Sequence, residues 1–155
     1  MSHIRRVIEV YDALKSTIDA APIGDIWHDC ELWLGYRADI TTTPKRVSVI
    51  RSNETLNNSD VLCGVLNSSG SIVLECQVNE GLLVGANGVG TIESRREAYL
   101  VLNDLVDACA VAIRETPSFA AIANPVISVE HDTDNTAPIY KAWLVVSEQS
   151  YVAFS

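Results

Sequence analysis

From Thr91 to Glu115 the chain keeps a helical beat: Ala98, Leu102, Leu105, Cys109 and Ala112 recur at helical spacing. Val101, Ala108 and Ile113 widen that stripe, while Arg95, Arg96, Asp104, Asp107 and Arg114 fall largely outside it. Thr91 and Ser94 are both placed to cap its start, Ser94 and Glu97 have capping-box spacing, and Pro117 marks a stop. A second one-sided helix is predicted over Ser2–Ala20, with Ile4, Val7, Ile8, Tyr11, Leu14 and Ile18 on one face and a break at Ala21-Pro22-Ile23-Gly24.

Between and after these helices the period changes to two. Ile26–Leu34 alternates, with Ile26, His28, Cys30, Leu32 and Leu34 on one side and Trp27, Asp29, Glu31 and Trp33 on the other. Thr41–Lys45 turns the chain into a short strand, Arg46–Arg51, and the polar run Arg51–Asp60 reads as a loop. Val61–Leu66 and Ser71–Val78 read as a hairpin about Asn67-Ser68-Ser69-Gly70. Gly81, Gly85, Gly88 and Gly90 give a flexible approach to the long helix, and Pro117–Pro125 is a connection with room for a helical turn. Val126–His131 and Ile139–Val152 close the chain as strands about the polar segment Asp132–Pro138. Helices and strands do not alternate regularly. The expected fold is therefore α+β, with two amphipathic helices on one face of a largely antiparallel sheet, a protruding β-hairpin, and one domain over residues 1–155.

Composition narrows the function. With 48% hydrophobic residues the chain belongs with globular proteins, and no apolar run approaches the ~20 residues of a membrane-spanning helix. Glu9 and Asp12 interrupt what would have to be a signal peptide's apolar core, so synthesis in the cytoplasm is expected. A net charge of −9 argues against gripping a nucleic-acid backbone. No Lys or Arg occurs between Arg51 and Arg95, whereas Glu54, Asp60, Glu75, Glu80 and Glu93 lie in that span. The acidic span reads either as a solvated face or as a surface that repels DNA or meets a basic partner. Cys30, Cys63, Cys76 and Cys109 are far apart and form no CxxC pair, which predicts buried thiols rather than a zinc site.

Catalytic and ligand motifs are weak. Gly85–Ile92 precedes a helix, but Thr91 and Ile92 stand where a phosphate loop needs Lys and a hydroxyl residue. His28 and Cys30 share a strand face and read as core rather than as a nucleophilic pair. His131, Asp132 and Asp134 lack the glycine and distal Glu of a calcium loop, and nothing singles out Asp25, Asp29 and Glu31 from surface charge. No enzyme activity, cofactor or metal is expected. Trp27 and Trp33 fall opposite Ile26, Cys30 and Leu32, and Trp143 opposite Ala142 and Leu144. With one face packed on the helices, some of these indoles lie on the other, which predicts either a subunit interface or a face covered within the monomer by the hairpin or the carboxy-terminal tail.

The order of elements carries a resemblance. An amino-terminal helix, the strand KRVSVIRS, a hairpin, the helix beginning near RREAYLVLNDLVDAC and the ending VISVEHDTDNTAPIYKAWLVVSEQSYVAF together resemble the tail-terminator, or tail-completion, and neck proteins of long-tailed bacteriophages. The resemblance covers nearly the whole chain and rests on architecture rather than on a motif. It implies a structural virion protein, assembled in the host cytoplasm, whose copies form a ring, usually of six, on the completed tail tube. Its implied partners are itself, the tail-tube protein and a neck or connector protein, with genome DNA crossing the lumen unbound and no membrane contact. Under it, Trp27, Trp33, Trp143, His131, Asp132 and Asp134 are candidate interface residues. Glu54, Asp60, Glu75 and Glu80 are candidates for an acidic lumen. A head-closure or tail-tube protein is the nearest alternative, and a small cytosolic enzyme or ligand-binding module the more distant one.

Overall fold

The computed structural model describes residues 3–40, 42–60, 65–84, 90–120, 126–132 and 138–153, with the backbone alone described at 53–60, 65–69, 84, 118, 120, 126 and 148–153. The elements run α1 (His3–Asp19), β1 (Cys30–Leu34), β2 (Lys45–Asp60), β3 (Val65–Asn79), a one-turn α2 (Glu80–Val84), α3 (Ile92–Glu115), a one-turn α4 (Pro117–Ala120), β4 (Val126–His131) and β5 (Ile139–Ala153). The strands form one sheet in the order β1-β2-β3-β5-β4, parallel only between β1 and β2. This is the expected α+β arrangement.

Both long helices lie on the same face, because the apolar sides of the central strands meet there. Val47 and Val49 of β2, Ile72, Leu74, Cys76 and Val78 of β3, and Ala142, Leu144 and Val146 of β5 are buried in one cluster with Val7, Val10 and Leu14 of α1. Ala98, Leu102, Leu105, Cys109 and Ile113 of α3 complete it. Each Leu, Ile or Val removed from water there contributes about 1.5–3 kcal/mol. Thr91 is the α3 cap: its hydroxyl accepts from the Ser94 N–H at 3.0 Å. Ser94 is turned instead toward Glu80, so the expected Ser94–Glu97 capping box does not form.

Three strand boundaries move. Arg51–Asp60, expected as a loop, is the outer half of the 16-residue β2, and β3 runs without a break through Asn67–Gly70, the expected turn. The polar side chains hid a strand whose stability comes from backbone pairing on a long ladder. The hairpin connection is therefore at 61–64, outside the described residues. β1 begins only at Cys30, because Asp29 adopts φ +57 and breaks the alternation expected from Ile26.

The ladder is uneven in a way that shapes the molecule. β1 stops beside Val49, and β4 pairs with β5 no farther than Ser147. β2, β3 and β5 continue past both, with β3 and β5 in unbroken register from Asn79↔Ile139 to Val65↔Ala153. The six residues from Val65 to Gly70 extend the sheet by about 20 Å at roughly 3.3 Å per residue. The expected protruding hairpin is thus a three-stranded extension.

Candidate functional site

The second face of the sheet carries a polar layer: Arg46, Ser48, Glu75, Gln77 and Asn79 are all buried there. What buries them is the return segment Gly35–Ile40, which leads from β1 back to the start of β2 and crosses this face as a strap. Gly35 makes the first turn at φ +96, its N–H donating to the Val49 carbonyl at 2.8 Å. The Arg46 guanidinium donates to the carbonyls of Arg37 (3.2 Å) and Ala38 (2.6 Å). The Ile40 N–H donates to Gln77 Oε1 at 3.2 Å, and Asn79 Nδ2 donates to the Ile40 carbonyl at 3.1 Å. Lys141 Nζ lies 2.6 Å from Asp39 Oδ1. Burial alone would lower the Lys141 pKa, but the bond and ion pair with Asp39, with Glu75 adding, raise it.

The strap decides the fate of the tryptophans. Trp27 is buried on the helix side, inside the main cluster, because the turn at Asp29 removes it from the strand alternation. Trp143 is on the second face, half-buried, and its Nε1 donates to Glu75 Oε2 at 2.9 Å. Trp33 remains 40% exposed, with the Arg37 guanidinium 4.2 Å from its ring centroid. Within the monomer the β2–β3 part of the second face is therefore covered, among the described residues by the strap, while toward β4 the same face stays open at Ser128 and Glu130. Trp33 alone among the three tryptophans keeps an exposed ring for a partner.

Two expected surface acids are interior. Glu75 accepts from Trp143 and from Gln77 Nε2 at 2.6 Å. Glu80 is fully buried; its Oε1 accepts from the Ser94 hydroxyl at 2.5 Å and the Gly90 N–H at 3.4 Å, and its Oε2 accepts from the Tyr140 hydroxyl at 3.2 Å. The Glu80 N–H donates to the Pro138 carbonyl at 2.7 Å. This carboxylate ties α2, the start of α3 and β5 together, so in the monomer Glu75 and Glu80 are structural and add nothing to an acidic exterior. Glu54 and Asp60 fall on the extension, where the backbone register puts Glu54 opposite Gly70 and Gly70 opposite Glu148. Glu148 is an acid the sequence pattern did not single out, since only strand register places it level with Glu54, on the other side of β3.

The suspects for chemistry are held in structural roles. Cys30 is buried, and desolvation pushes its thiol up to about 12, far from a thiolate at neutral pH. Cys109 is raised as well, first by its hydrogen bond with Cys76, whose Sγ is 3.7 Å away. His28 is half-buried, with Nε2 3.6 Å from Asp29 Oδ1. It borders an open concavity of about 350 Å³ with Asp25 and Lys45, but Asp25 accepts from the Trp27 N–H and Lys45 donates to the Ile26 carbonyl. A larger hollow, about 520 Å³, lies between α3 and the β4–β5 edge, lined by Tyr99, Asn103, His131, Asp132 and Tyr140 among others. His131 is exposed there; Asp134, the third of that expected group, lies outside the described residues, as does most of the Gly-rich run. No cluster of three or more His, Cys, Asp or Glu suited to a metal occurs among the described residues. No described helix is long and apolar enough to cross a membrane.

Comparison with protein-family models gives no match, and comparison with curated proteins gives none either.

Proposed function

We propose that this protein is a structural component of a phage virion, a tail terminator whose copies close into a ring on the finished tail tube. The supporting observation is the three-stranded extension, which reaches about 20 Å past β4 and leaves the sheet unfinished on two sides. A strand edge of this kind offers its unpaired N–H and C=O groups to another chain, and a closed ring would pair every such edge without further growth sideways. The two helices on one face, the antiparallel β2–β3 pair and the closing β4–β5 pair are the elements on which the resemblance to the terminator and neck proteins rests. The acidic residues Glu54, Asp60 and Glu148 belong to the extension, and with a net charge of −9 they suit a lumen that DNA passes without adhering.

A tail-tube subunit would use the same architecture but would also stack on itself. The two roles separate in an elongation assay. Added to polymerising tail-tube protein, a terminator stops growth with one terminal ring per tube. Continued growth, or incorporation along the tube length, sinks the terminator reading.

A further inference from the structure

The extension has two open edges that differ from each other. On one side β2 runs on from Ile50 after β1 has stopped; on the other β5 runs on from Glu148 after β4 has stopped. Among the described residues nothing pairs with either edge. Because β3 is antiparallel to both β2 and β5, the two open strands point the same way, toward the far end of the extension. Their guarding also differs. Register shifts interrupt β2 between Arg51 and Glu54 and between Asn57 and Asp60, leaving Glu54–Asn57 as its regular stretch. β5 has no shift at all, and no Lys, Arg or Pro occurs from Ala142 to Ala153 to discourage pairing.

We infer that neighbouring copies join through these edges, Glu54–Asn57 of one copy pairing in parallel with the 148–153 segment of β5 in the next. This rests on the ring reading and specifies its seam. The occupant is a second copy because each chain carries one edge of each kind at equal height: Arg51 and Val146 both register on Ile72. Rotating one copy about an axis along the extension brings β5 against the next β2 with strand directions aligned, which is a head-to-tail contact that can close. A two-fold dimer would instead pair like edges antiparallel, β5 on β5 or β2 on β2. At the foot of the β2 edge, Ile4, Ile8, Leu34 and Val49 line an apolar groove of about 280 Å³, so the joining strand starts on an apolar floor. Lower down, β1 of one copy and β4 of the next lie between β2 and β5. The seam is therefore confined to the extension and the helical bodies splay outward.

The test is a cysteine scan in a Cys63→Ser background, in which the remaining thiols are buried. Chains carrying one cysteine at 54–57 are mixed with chains carrying one at 148–153, for example Thr55→Cys with Ser150→Cys. Assembly is checked by light scattering before mild oxidation. The seam predicts interchain disulfides between the two sets, with the reactive positions rising together along both strands, and loss of the disulfide when either set is oxidised alone. Reactive positions that rise in one strand as they fall in the other, disulfides within a single set, or rings that form with no disulfide in any mixture overturn the seam while leaving the ring. A protein that never assembles overturns both.

Discussion

At the level of single residues, the polar groups that look like surface are the ones that hold the monomer together. Glu80 and Glu75 stand in an acidic stretch of sequence, yet each satisfies buried donors. Sequence spacing has no access to this, because the donors Tyr140 and Trp143 are some 60 residues away and only the β3–β5 register makes them neighbours. Glu80→Ala removes the buried acceptor shared by the Ser94 and Tyr140 hydroxyls and the Gly90 N–H, and opens a cavity. A loss of about 2–4 kcal/mol in urea unfolding is expected, against less than about 0.5 kcal/mol for the exposed Glu93→Ala. The cysteines, by contrast, were legible from their apolar neighbours. In the Cys63→Ser background the native protein should leave Cys30, Cys76 and Cys109 unmodified by a thiol reagent at pH 8, and denaturant should expose all three. Labelling of Cys30 at a free-thiol rate would refute its burial. A thiol held neutral in the fold, from an ordinary 9.0 to about 12, favours the folded state fully below pH 9 and loses that contribution as pH climbs toward 12. Unfolding midpoints should fall over that window, less steeply in Cys30→Ala.

At the level of elements, α3 and β5 were readable because their periodicity coincides with burial. α1 was legible as a helix with its inner face misplaced: Ile4 and Ile8, expected inside, are exposed, and His3, Arg6 and Val10 are buried in their stead. The outer half of β2 was not legible. RSNETLNNSD has the composition of a turn, and it is a strand because β3 offers it a ladder. The strap was also invisible: Gly35–Ile40 has no repeating pattern, and its importance lies in which backbone carbonyls meet Arg46. Arg46→Ala removes two charge-assisted hydrogen bonds and the packing of a buried side chain. A loss of about 3 kcal/mol and faster proteolysis within residues 35–40 are expected. Asp39→Asn should act more mildly. The raised Lys141 pKa means that the ion pair stabilises the fold fully below its ordinary 10.5 and less as pH rises beyond it, so the difference between wild type and Asp39→Asn should shrink at strongly alkaline pH. A constant difference across pH would show that the pair contributes nothing.

At the level of the whole molecule, the fold places apolar surface under two helices and covers the β2–β3 part of the opposite face with its own strap. It leaves for assembly both open backbone edges and exposed apolar side chains such as Ile4, Ile8, Leu34 and Trp33. The acidic extension gives one further prediction. Glu54→Lys with Glu148→Lys should create salt-sensitive DNA binding in the assembled protein, with retention on a DNA column that weakens as salt rises. Rings unaffected by this reversal would remove the extension from the lumen. The ring itself is tested most directly by solution mass from light scattering across a concentration series, with negative-stain images of the same samples, alone and with tail tubes. Closed rings of a single copy number that do not lengthen, free or seated on tube ends, are the expected result. A protein that stays monomeric even with tubes present, or that grows into tubes of its own, contradicts the account.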